Sequence, residues 1–238
     1  MQSLLYSVFH EPTKFDAREL VWAHISEMSE ISGGVEVADV GELNLKSGHI
    51  VANDPYLYEG DLPIVARVYP AKYPVKLCQT CVKSEYEGKV YTQLLTLAAM
   101  IEISPEEPEK WLLAYQPKVY MKGYGLEGKS FINAGFACDS ATGCLMDYET
   151  AKLHVQYDKE LLENGRGVGV QDVLGQKFGE TQADGWFSYH PCPETNKELN
   201  ELCFLIGADG FYGSYWGLKS NNEIVCLVTD FAGLADRE

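Results

Sequence analysis

Apolar and polar residues repeat with one period in the first thirty or so positions and with another afterwards. Asp16-Ala17-Arg18-Glu19 has the acid-x-x-Glu form of a capping box, and Leu20, Val21, Ile25 and Met28 follow at helical spacing. The spacing predicts a helix that stops near Ser32-Gly33-Gly34. From Val35 onward short apolar runs between turn residues predict strands over 48–52, 64–69, 73–82, 89–103 and 111–115. The run over 89–103 is longer than an ordinary strand, so a bend or bulge is expected within it.

A second helix is predicted over 147–163, with Asp147 as N-cap and Leu153, Tyr157 and Leu161 at four-residue spacing. Gly165-Arg166-Gly167 would end it, and a short helix is expected over 170–178. Runs over 202–206, 212–218 and 224–229 read as strands, the last two joined by a hairpin at Ser220-Asn221-Asn222. The whole predicts an α+β protein, a predominantly antiparallel β-sheet core with two or three packed helices. Residues 1–34 would form a helical segment packed on a single domain over 35–238, since no repeat or low-complexity linker divides the chain.

Composition narrows the function classes. The 238 residues carry 19 Lys+Arg against 35 Asp+Glu, a formal net charge of −16. A nucleic-acid binder needs cationic side chains to neutralise phosphates, and an anionic membrane surface repels this chain, so neither partner is expected. No apolar run reaches the length that spans a bilayer; the longest, over 94–101, reads as a buried strand. The opening residues lack a basic n-region and a small-residue cleavage site. Seven cysteines, an odd number set in apolar stretches, fit reduced thiols in the cytoplasm. Cys78-Gln79-Thr80-Cys81 has no second pair at zinc-ribbon spacing, and its two thiols would point to opposite faces of a strand.

No GxSxG elbow, P-loop, HExxH or calcium-loop motif is present, and the five histidines have no pair at ligand spacing. No resident metal or cofactor is therefore expected. Two segments could hold a site. In 133–147, small residues over 138–143, around Asp139 and Thr142, lead to Asp147, so a carboxylate and backbone N–H groups could approach a ligand. The plainer account is that Asp139 bonds its own turn and Asp147 only caps a helix. In 207–217, Asp209-Gly210 is a turn dipeptide, and Tyr212, Tyr215 and Trp216 are broad amphipathic rings. Tyr212 and Trp216 share one face and Tyr215 takes the other; the plainer account is that they fill a core.

Gly41-Glu42-Leu43, Ser47-Gly48-His49-Ile50-Val51-Ala52 and Asp54-Pro55 resemble the opening of the bacterial domain of unknown function 4241. So do Tyr73-Pro74-Val75, the stretch from Asp139 to Asp147, Asp209-Gly210 with Tyr212, and Asp230-Phe231, all in the family's order. The family usually has Gly at Ala71 and Ala141 and Pro at Gly213, so tight-turn geometry is expected to differ there. The resemblance implies one domain over most of the chain and supplies no reaction. It marks Asp54, Asp139, Asp147, Asp209 and Asp230 as candidates for one cluster.

Three functions fit these residues. The first is a cytoplasmic binding protein, an acidic immunity- or antitoxin-type partner of a basic protein. The second is a cation-dependent hydrolase built on Asp139, Asp147, Asp209 and Asp230. The third is a structural or scaffolding role. For the binding reading the candidate residues are Asp54, Asp139, Thr142, Asp147, Asp209, Tyr212, Trp216 and Asp230.

Overall fold

Sequential antiparallel pairing dominates the chain. The computed structural model describes residues 4–21, 29–57, 60, 62–86, 88–119, 130–133, 135–163, 169–181, 184–192 and 195–235. Strands β1 (Ser29–Leu45), β3 (Ala71–Tyr86), β4 (Lys89–Glu102), β13 (Ile224–Asp230), β12 (Gly210–Leu218) and β5 (Lys110–Ala114) lie side by side in that order. Strand β8 (Gly135–Cys138) also pairs with β12. A second sheet runs β10 (Trp186–Tyr189), β11 (Glu201–Leu205), β9 (Thr142–Asp147), β2 (Ile50–Asn53), and β6 (Gln116–Val119) pairs with β7 (Ser130–Asn133). Every pairing is antiparallel, as expected of the α+β class.

Period-two alternation builds the layers. Ile50, Ala52, Leu145, Leu202 and Phe204 of the small sheet meet Leu43, Leu77, Ile101 and Leu227 of the large one in a central core. Their sequence neighbours Val51, Cys144, Met146 and Cys203 point the other way. There they pack on helices α3 (Tyr148–Glu163) and α4 (Val170–Thr181) through Ala151, Val170 and Leu174. The outer face of the large sheet, with Cys78, Leu97 and Val228, is covered by Leu5, Val8 and Phe9 of α1 (Leu4–His10). Helix, sheet, sheet and helices therefore stack in four layers, each sheet buried on both faces.

Several local expectations change. Asp16 does cap a helix, accepting the Arg18 N–H at 3.0 Å, but this α2 spans only Ala17–Leu20 and Val21 is already extended. Ile25 and Met28 lie outside the described residues. Ser32-Gly33-Gly34 is not a helix stop but part of β1, which also runs through the expected boundary at 34/35. These residues fall in a register shift between Ile31↔Val82 and Val35↔Thr80, where they bulge opposite Cys81, and a Cβ on Gly33 would come to 3.0 Å from the Cys81 Cβ. The stretch 64–69 is not a strand. Its N–H groups go to three segments, Ile64 to Ile50, Val65 to Tyr115 and Val68 to Gly48, and Ala66 has φ +133° between two flanking prolines. The bulge expected in the long strand is present, where Cys78 faces Ala98 but Gln79 faces Thr96. The end of α3 at Gly165-Arg166-Gly167 falls outside the described residues.

Candidate functional site

Asp54 follows β2 directly and is fully buried. Its Oδ2 accepts the N–H groups of Asp139 and Ser140, both at 3.0 Å, and its Oδ1 accepts the Ser140 hydroxyl at 2.7 Å and the Tyr56 N–H at 2.9 Å. Asp209 Oδ1 accepts the Ala141 N–H at 3.2 Å, and the Ala141 carbonyl accepts from Ile206 and Gly207. Thr142, buried, donates its hydroxyl to the Ser140 carbonyl at 3.1 Å. The turn between β8 and β9 is thus held by carboxylates from two distant segments. The bond expected of Asp139 to its own turn is made instead by Asp54, and the Asp139 residue is exposed. Ala141 sits at φ +52°, a left-handed conformation that costs an L-residue about 1–2 kcal/mol.

Asp54, Asp139, Thr142 and Asp209 therefore meet at one turn, and the remaining candidates lie elsewhere. Asp147 caps α3 through the Glu149 N–H at 2.8 Å and also accepts the N–H and hydroxyl of Ser47 at 2.9 and 2.7 Å. Asp230 accepts the Ala232 and Ala235 N–H groups; burial pushes its carboxyl above the usual value against the pull of those donors. Tyr212 and Trp216 are 3% and 5% exposed, with Tyr215 on the opposite face against the other core. The Tyr212 hydroxyl donates to the Ala208 carbonyl at 2.8 Å. Tyr212 fills the core, while Trp216, also buried, borders a groove. Among the described residues no three His, Cys, Asp or Glu side chains lie close enough to hold a metal ion.

The family model described as a protein of unknown function, DUF4241, matches residues 43–229. The chain belongs to the DUF4241 family. No curated protein and no solved structure matches it. In this DUF4241 chain the match takes in the whole small sheet, α3, α4 and the carboxylate-held turn, and leaves α1 and most of β1 outside.

Sequence reasoning missed a buried ion pair. His154 of α3 and Glu201 of β11 are 2% and 0% exposed, with Nδ1 at 3.0 Å from Oε2 and 3.2 Å from Oε1. Burial pulls the imidazole pKa down, but the Glu201 charge and hydrogen bond, with Asp158 and the Pro55 carbonyl, outweigh it and leave the value raised. Beside the pair, Tyr189 opposes Glu201 across the strands, and its hydroxyl and that of Thr150 are buried without a hydrogen bond. The signal was faint: His154 lies one turn after Thr150, and Glu201 shares the helix-facing parity of Cys203.

A groove of about 510 Å³ opens beside β5, lined by Val65, Leu112, Tyr115, Trp216, Leu218 and Ile224 among others. Val65, Leu112 and Tyr115 are 57%, 54% and 47% exposed. The Trp216 indole N–H is buried there without a hydrogen bond.

Proposed function

We propose that this chain is a cytoplasmic binding protein that captures a basic protein, as an immunity protein captures its toxin. The observation that carries this reading is the excess of 35 acidic over 19 basic side chains. Such a field steers a cationic partner into contact and makes association salt-sensitive. The carboxylates speak against cation chemistry, because Asp54, Asp147, Asp209 and Asp230 already accept main-chain N–H groups and, among the described residues, no three ligating side chains gather. All seven thiols are unpaired, which suits a reducing compartment. Among the described residues no helix is long and apolar enough to cross a membrane.

The test is retention of a stoichiometric partner from host extract on the immobilised chain. A partner with basic pI, held at about 0.05 M salt and released by about 0.5 M, is the expected result. Retention of nothing basic, or a complex indifferent to salt, overturns the reading.

A further inference from the structure

We propose that the groove beside β5 binds an extended segment of the partner as an added strand, with an apolar side chain seated next to Leu112 and Lys or Arg flanking it. This rests on the proposed function and assigns the surface that would carry it. Strand β5 ends the large sheet. One side of it pairs with β12 from Lys110↔Leu218 to Ala114↔Ser214. No strand pairs with its other side among the described residues; the Val65 N–H bonds the Tyr115 carbonyl just past its end, which leaves the stretch 110–114 as the edge where another chain could pair.

The two edges of this sheet differ in how they are defended. Strand β1 is interrupted by register shifts at 31/35 and 39/42 and carries Glu30, Glu36, Asp39 and Glu42. Bulges and charges of that kind block strand addition. Strand β5, Lys-Trp-Leu-Leu-Ala, has no register shift against β12 and one charge, Lys110, which is drawn aside to Asn222 and the Ser220 carbonyl. Leu112 stands directly opposite Trp216, so the pair floors the groove next to the open edge. On an added strand every second side chain would face that floor, and the groove volume lies in the range of sites that bury an apolar group.

Charge selects the occupant. Glu106, Glu109 and Glu223, all exposed, lie at the Lys110 end of β5, where Glu106 and Glu223 pair with Lys219 and Glu109 accepts the Ser220 hydroxyl. The neighbouring cations are Lys110 and that Lys219. Three carboxylates against two ammonium groups at that end favour a segment with a cationic flank there, in keeping with the charge of the whole chain, while Arg67, beside the groove wall at the Tyr115 end, donates to the Ser47 carbonyl. The same charge opposes a second copy of this chain, because two molecules at −16 repel.

The probe is a fluorescent peptide, Lys-Lys-Val-Thr-Val-Thr-Val-Lys-Lys, compared with its counterpart carrying Glu at the four flanking positions. Anisotropy reads affinity, and amide hydrogen exchange reads protection of residues 110–114. The expected result is binding of the Lys-flanked peptide alone, protection of the β5 amides, and about tenfold weaker binding to Leu112→Gln. Leu162→Gln, on exposed α3 away from the groove, should bind as the parent does. The proposal is overturned by equal binding of both peptides or by no binding at about 1 mM. Equal losses in the two variants, or concentration-dependent dimerisation that Leu112→Gln abolishes, also overturn it. If Leu112→Gln still retains the basic partner from extract as the parent does, the groove falls while the proposed function stands.

Discussion

A buried carboxylate is worth most where it answers several donors at once. Asp54 serves three N–H groups and a hydroxyl, and Asp54→Ala leaves all four without their acceptor. The expected loss is about 3 kcal/mol or more in urea unfolding, whereas Asp139→Asn, at an exposed carboxylate, should change stability by less than about 0.5 kcal/mol. An order reversed between these two variants would mean that Asp54 does not hold the turn. Ala141 offers the opposite sign. Glycine removes the strain at φ +52° while adding unfolded-chain entropy, so Ala141→Gly should stabilise by about 0.5–1 kcal/mol in the same assay.

Between elements, the His154–Glu201 pair ties α3 to β11 and titrates within a measurable range. The native state holds the imidazole proton more tightly than the unfolded chain, whose histidine titrates near 6.5. The stabilisation is therefore complete below pH 6.5 and lost as pH rises through the raised native value. Unfolding free energy followed by urea titration across this range should fall with rising pH, and in His154→Gln that fall should vanish. Asp230 is separable, because its raised carboxyl acts in an acidic window that begins near its ordinary 3.8. His154→Ala should cost about 3–5 kcal/mol by leaving Glu201 buried and unpaired. Strand contact is equally sharp at Gly135, where a Cβ would lie 1.9 Å from the Tyr212 carbonyl oxygen. Gly135→Ala should therefore part β8 from β12, seen as faster amide exchange over 135–138, with a loss of about 3 kcal/mol.

The central core draws on both sheets at once, so neither sheet can keep that face buried alone. Calorimetry should accordingly show one transition, and limited proteolysis should release no pair of stable halves. The cysteines report on the same packing. Denatured, unreduced protein should yield seven thiols, while in the native state the half-buried Cys81 and Cys192 should react before the five buried ones. Cys144 and Cys203 face each other across β9 and β11, but burial raises both thiol pKa values well above the ordinary one and suppresses the reactive thiolate.

Local signals were enough for the elements whose apolar residues keep one period for most of their length. The residues alone specify α3 with its Asp147 cap, the strands expected over 89–103 and 224–229, each within one residue of its observed end, and the opposite facing of Tyr212 and Tyr215. They also specify the α+β class, because alternation marks a sheet face wherever the sheet lies in space. What the sequence left open depends on groups far apart along the chain. Asp54 reaches 85 positions to Asp139, and Glu201 reaches 47 to His154. No spacing rule encodes those distances, since they are set by which strands pair and in what register. The extension of β1 through Gly33-Gly34 was hidden for the same reason: glycine weakens a strand judged alone, but here it admits the close approach of Cys81. The loop at 64–69 gave way in the reverse sense, because its apolar run is strand-like while its N–H groups find three different partners only in the folded protein.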